Sequence, residues 1–158
     1  MDRVDYLIKK LKLEPLDIEG GRFSVAFRSK KIIDTLDQRG KRIAVSGIFF
    51  LLTKGEVSRI HRVKSDEIWH FYEGSPVELF VIGEDGKLNS FVLGDVSENC
   101  IPMVYVPANC WQCARSLGDY SLVGCNVAPG FEYEDFELPD KKTSEKIVKL
   151  FPQLKGFL

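Results

Sequence analysis

Residues 55–74 read GEVSRIHRVKSDEIWHFYEG, and the alternation of faces within this stretch decides the fold. Gly55 and Gly74 bracket two β-rich runs, and the charged residues around Lys64, Ser65 and Asp66 form a solvated turn between them. Side chains on a strand alternate faces with period two. His61 and Val63 therefore share one face, and Glu67, Trp69 and Phe71 share one in the next run. Asp66 and His70 fall on the opposite face, so neither Asp66 beside Glu67 nor His70 three positions on can pair with it without a bulge.

The same signal continues outward. RFSVAFR, IAVSGIFFLL, VELFVI, LNSFVL, MVYVP, CWQCAR and YSLVGCNVAP are further short β-rich runs, separated by turns such as Glu19-Gly20-Gly21, Gly74-Ser75-Pro76 and Glu84-Asp85-Gly86. About eight strands at intervals of roughly ten residues, with no helices between them, predict an all-β antiparallel sandwich or barrel over residues 22–138. Val4, Leu7, Ile8 and Leu11 make one apolar stripe behind an Asp2 cap, predicting a packing helix within residues 1–14. A second helix is expected over 143–152, with Ile147, Leu150 and Phe151 on its apolar face and Pro152 limiting its length. IIDTLDQRGKR, residues 32–42, reads as a polar, exposed loop.

The 158 residues suit one domain, 1–158, and acidic and basic side chains nearly cancel at a formal net charge of −1. No overall field draws in nucleic acid or an anionic membrane. The charged N-terminus lacks the apolar core of a signal peptide, and the run IFFLL is too short to span a bilayer, so a soluble, cytoplasmic protein is expected. The four cysteines, Cys100, Cys110, Cys113 and Cys125, lack the density of a secreted disulfide scaffold and are expected as thiols. Cys110 and Cys113 have C-x2-C spacing, but in an extended strand positions i and i+3 point apart, which argues against a zinc or redox pair.

Written as a pattern, residues 55–74 are G-x5-H-x-V-x3-E-x6-G, with Gly55, His61, Val63, Glu67 and Gly74 at the fixed positions. This resembles the first cupin motif, G-x5-H-x-H-x3-E-x6-G, with Val63 where a second histidine would stand. Pro107-Ala108-Asn109-Cys110-Trp111-Gln112 resembles the second motif, P-x-G-x2-H, with Gln112 at the histidine position. The segments LEPLDIEGGRF, FRS, IFFLL, VPANCWQ and LVGCNVAPGFEYEDFEL extend the likeness to a small uncharacterised family of single-domain cupins. The resemblance implies a jelly-roll barrel (double-stranded β-helix), a ligand-sized cavity and a homodimer. Members of that family often carry a His within the segment that here reads Leu16-Asp17-Ile18, and a Glu where this chain has Val25-Ala26.

If the barrel forms, His61, Glu67 and Gln112 face one interior. With only two histidines in the chain, a three-His-one-Glu metal site cannot be assembled, and one imidazole, one carboxylate and one amide form a poor set for zinc, copper or iron. No tightly held cofactor is expected. A weakly bound divalent ion such as Mg2+ or Mn2+ would use His61, Glu67 and Gln112 and keep several waters. The same groups suit proton transfer, with His61 as base, Glu67 orienting it, and Gln112 donating to a developing oxyanion.

Trp69, Phe71 and Phe49 are candidate ligand contacts or ordinary core. Arg28, inside a β-run, either marks an outer surface or meets an acidic ligand or Glu. Tyr133 is a candidate lid residue within the APGFEYEDFELPD segment. Three functions follow as expectations: an isomerase or epimerase acting on a small polar molecule such as a sugar or sugar nucleotide, a non-catalytic binder of a small ligand, and a metal-dependent enzyme.

Overall fold

A computed structural model describes residues 1–158. In chain order the elements are α1 (Arg3–Leu11), β1 (Glu14–Pro15), β2 (Arg22–Arg28), β3 (Ile32–Asp34), β4 (Lys41–Ile43), β5 (Ser46–Thr53), β6 (Val57–Val63), β7 (Asp66–Gly74), β8 (Val77–Ile82), β9 (Leu88–Leu93), β10 (Met103–Val106), β11 (Trp111–Ser116), β12 (Tyr120–Ala128), β13 (Phe136–Glu137) and α2 (Lys141–Leu150). Short 3-10 turns at Tyr133–Asp135 and Pro152–Phe157 complete the chain. All strand pairing within the sheets is antiparallel. A six-stranded sheet runs β1-β2-β5-β12-β7-β10 and a five-stranded sheet runs β13-β6-β11-β8-β9. Neither sheet closes on itself, and the two face each other as a jelly roll.

Alternation along the strands builds four layers. Phe50, Leu52, Trp69, Val104, Val106 and Val123 from the larger sheet meet Val77, Leu79, Val81, Leu93 and Ala114 from the smaller one in the central core. On the outside of the larger sheet, Leu51 and Leu122 pack with Leu7 and Leu13 under α1. On the outside of the smaller sheet, Ile60, Phe80 and Cys113 pack with Ile147, Leu154 and Phe157 under α2 and the turn that follows it. Cys110 lies in the central core and Cys113 in the outer layer, so the C-x2-C pair is split between two layers.

The terminal helices are shorter or displaced relative to their predicted spans, for reasons local to their ends. Asp2 caps α1 by accepting from the Asp5 backbone N–H, and Lys12 ends it in the left-handed conformation. Asp140 caps α2 by accepting from Thr143 N–H, which starts that helix at Lys141 rather than 143. The segment 32–42, expected as a loop, contains the hairpin β3–β4. It is polar because its anchoring is ionic. Arg39 and Arg42 both reach Asp135, at 3.0 Å and 2.9 Å, and the Arg42 hydrogen bond, with Arg39 beside it, holds the Asp135 carboxyl below the usual carboxylate range despite its burial. This ties the hairpin to the segment that leads into β13. No helix is long and apolar enough to cross a membrane.

Candidate functional site

Where the two sheets part between β6 and β12, a cavity of about 130 Å3 remains. Its walls include Phe23 and Val25 of β2, Ser46, Gly47 and Ile48 of β5, His61 and Val63 of β6, Glu67 of β7, and Cys125 and Val127 of β12. Leu16, Ile18 and Glu19, together with Phe131, Tyr133 and Phe136, complete the lining. The exposed members of this lining, Ile18, Val25, Arg28 and Tyr133, mark the mouth. Eleven of the seventeen lining residues are hydrophobic, so the few polar groups face low-dielectric surroundings, where their interactions are strong.

His61 is almost fully buried, its ring stacked on Phe136 with centroids 5.2 Å apart. Nδ1 lies 2.6 Å from the Arg59 carbonyl oxygen. A carbonyl can only accept, so Nδ1 carries the hydrogen, and in the neutral ring Nε2 is left as a lone pair. Nε2 lies 3.8 Å from Glu19 Oε1, beyond hydrogen-bond distance. Glu19 in turn accepts a short hydrogen bond from the buried Ser58 hydroxyl.

Glu67 is held from behind. Trp69 Nε1–H, which can only donate, meets Gln112 Oε1 at 2.9 Å. That contact fixes the amide so that Gln112 Nε2 donates to Glu67 Oε2 at 2.6 Å. Burial pushes the Glu67 carboxyl up to about 7, with the negative field of Glu19 adding to it. The charge of His61 and hydrogen bonds from Gln112 and Cys125 work the other way. The Cys125 thiol is raised well above its ordinary value, first by burial and then by the charge of Glu67.

Strand alternation thus brings His61 and Glu67 to one cavity, and β6 pairs with β11 so that His61 lies opposite Gln112. No hydrogen bond joins the two: the imidazole is oriented by the Arg59 carbonyl rather than by Glu67. Gln112 is buried behind Glu67 and does not line the cavity, because both ends of its amide are engaged by Trp69 and Glu67. Trp69 and Phe71 belong to the central core and also lie outside the lining. Phe49, expected as an inward contact, faces out of the barrel. Its neighbours Ile48 and Phe50 point in, so alternation turns Phe49 toward α1, where its ring meets Tyr72 edge-on. Arg28 and Tyr133 stand at the mouth. Arg62, on the outer face of β6, pairs with Glu137 of β13 at 2.8 Å and lies over the Trp111 ring.

Glu19 is the acidic group absent from the sequence-level set. Its signal is the pair of glycines that follows it. Gly20 has φ of +109°, and a Cβ there would collide with the Val57 carbonyl oxygen; only glycine lets this turn lie against β6. The close approach delivers Glu19 to Ser58 and His61. In the second motif, Asn109 takes the place of the usual glycine and adopts the left-handed conformation that position requires, with φ of +65°.

A metal of the kind bound by many cupins does not fit these side chains. Val63 occupies a ligand position and Gln112 is turned away, while His61 offers a single nitrogen. No group of three or more His, Cys, Asp or Glu side chains is arranged to hold an ion.

Comparison with known proteins agrees with this architecture. The sequence model of the family described as Cupin superfamily (DUF985) matches residues 5–139. A structure from Shewanella oneidensis is similar at 35% identity, covering 99% of this chain and 98% of that one, with a TM-score of 0.83. A hypothetical protein from Leishmania major is similar at 29% identity, with 99% and 97% covered and a TM-score of 0.85. A cupin 2 conserved barrel domain protein from Rhodopseudomonas palustris, at 15% identity with 92% and 85% covered and a TM-score of 0.57, shares the fold. A comparison with curated proteins gives no match. Since the motif around His61 and Glu67, the facing sheets and the match over residues 5–139 coincide, the chain belongs to the DUF985 family of the cupin superfamily.

Proposed function

We propose that the cavity binds a small carbonyl compound and moves a proton on it, an isomerase- or epimerase-like reaction with His61 as base and Glu67 as acid. One observation carries the reading. His61 Nε2 presents a lone pair to the cavity, while burial raises the Glu67 carboxyl to about 7, so that it can carry and give up a proton near neutral pH. A proton acceptor and a proton donor that face one cavity can serve as base and acid on the same substrate.

In the reaction, Nε2 takes the proton from the carbon beside the carbonyl, and the carboxyl proton of Glu67 passes to the carbonyl oxygen, giving a neutral enol. Nε2 then returns its proton to the other face of that carbon after the enol turns over in the cavity, with Glu67 recovering its proton from the enol hydroxyl, or to the former carbonyl carbon of an enediol, with Glu67 recovering its proton from the neighbouring hydroxyl; either course restores both residues. Gln112 and Trp69 act through Glu67 by fixing its direction.

Size bounds the substrate. A cavity of about 130 Å3 encloses a molecule of roughly benzene size, well below the span of about 300–1,000 Å3 typical for drug-sized ligands. The enclosed part is a short chain or the reacting portion of a sugar, and a nucleotide would have to extend through the mouth.

The test is solvent deuterium incorporation, followed by NMR, into butanone, dihydroxyacetone and pyruvate. Exchange at the carbon beside the carbonyl of at least one, lost in His61→Gln, is the expected result. Exchange in none, or exchange that persists in His61→Gln, defeats the proposal. The largely apolar lining favours a second reading, a non-catalytic binding site, which would show saturable thermal stabilisation without exchange.

A further inference from the structure

We propose that Arg28 is the anion receptor of this cavity and that the molecule it takes carries a carboxylate. This deepens the preceding reading and rests on it. Arg28 is the only guanidinium or ammonium in the lining. It ends β2 with its side chain 44% exposed, so it stands at the mouth.

Its own partners leave room for a ligand. Nη1 donates to the Phe131 carbonyl oxygen at 3.1 Å and Nη2 to Glu132 Oε1 at 2.8 Å. Of the five N–H donors a guanidinium carries, these contacts use two, and Nε–H is not among them. The Glu132 contact shows that the guanidinium receives a carboxylate in this position. An ion pair this open to water is weak, so an incoming carboxylate can displace Glu132 or share the fork, whose planar geometry matches two carboxylate oxygens.

The rest of the cavity fixes which way the ligand lies. Glu19 sits with His61 and disfavours an anion there, whereas Phe23, Ile48, Val127 and Phe131 accept hydrocarbon. The anionic end therefore turns to the mouth and the neutral, reacting end goes to His61. The class that fits is a short-chain carboxylic acid with a carbonyl away from the carboxylate.

Protein-observed NMR titrations with pentanoate, pentanamide and pentylamine compare one size in three charge states. Pentanoate is expected to shift cavity resonances and to bind about two- to fivefold more tightly than pentanamide, the range an exposed ion pair allows. Arg28→Gln should remove that preference and leave pentanamide binding unchanged. Glu132→Gln should tighten pentanoate several-fold, because it removes the competing carboxylate. Opposite signs for the two variants separate an anion receptor from a mere prop for the 131–136 segment, which both substitutions would weaken alike. Equal binding of pentanoate and pentanamide, a preference for pentylamine, or loss of pentanoate binding in both variants overturns the inference while leaving a small-molecule site in place. If none of the three probes perturbs the cavity, the small-molecule reading fails and takes this inference with it.

Discussion

Replacing Glu67 by Gln removes a buried titration while keeping the side chain's size and its capacity to meet Gln112. The carboxyl ordinarily titrates near 4.5 and burial raises it to about 7. A group whose folded value lies above its unfolded value contributes stability that is complete below the unfolded value and is lost as pH rises through the folded one. Between about pH 4.5 and pH 7 the folded protein keeps a proton that the unfolded chain has already lost, so rising pH favours unfolding. At about 1.4 kcal/mol per pH unit, that interval is worth on the order of 3 kcal/mol. For a chain of this length, such a difference moves the midpoint of thermal unfolding by roughly 6–12 °C.

The assay is urea unfolding of the wild type and Glu67→Gln at a series of pH values from 4 to 8. Subtracting one curve from the other cancels the titrations the two proteins share. The wild type should lose stability relative to the variant as pH rises, with the change centred between about 5 and 7, and the variant should be the more stable protein at pH 8. Parallel curves, or a difference of the opposite sign, would refute the argument that desolvation dominates at Glu67.

Trp69→Phe removes the donor that fixes the Gln112 amide. Freed to rotate, Gln112 can turn its oxygen toward Glu67, and losing a hydrogen bond to the ionised form should raise the carboxyl by about 1–2 pH units. An infrared titration of the carboxyl band reads this directly, and a midpoint that stays put or falls contradicts the relay. Gly20→Ala forces a side chain into the Val57 carbonyl at a positive φ and should destabilise the fold by about 1–3 kcal/mol or more. An unchanged denaturation midpoint would count against the close approach. Met103 and Tyr105 are more than half exposed on the edge strand β10, beside Tyr72 of β7. If this apolar strip joins two copies, the wild type sediments as a dimer and Met103→Glu as a folded monomer; a monomeric wild type removes the idea.

Much of the barrel was legible because strand alternation and turn chemistry are local properties. RFSVAFR, VELFVI and LNSFVL coincide with β2, β8 and β9, and the glycines and alternation of residues 55–74 define β6, β7 and the inward faces of His61 and Glu67. Two features were not legible. The run SGIFFLLT is apolar on both faces, since one meets the central core and the other meets α1. Composition therefore could not say that Phe50 points in and Phe49 out. The 32–42 segment has little apolar patterning, because the hairpin it forms is anchored by ion pairs from Arg39 and Arg42 to Asp135, far along the chain.

The site divides in the same way. The residues that face the interior follow from a period of two along each strand, which the order of amino acids carries by itself. What each polar group touches depends on which distant backbone comes beside it. A turn ending in Gly20 and Gly21 brings in Glu19, and Trp69 commits Gln112 to Glu67, whereas the Arg59 carbonyl that selects the His61 tautomer lies only two residues back on β6. Hydrogen-bond partners and desolvation are properties of packed neighbours in three dimensions, so only the tertiary structure could raise the Glu67 carboxyl to about 7 and set Glu19 beside His61.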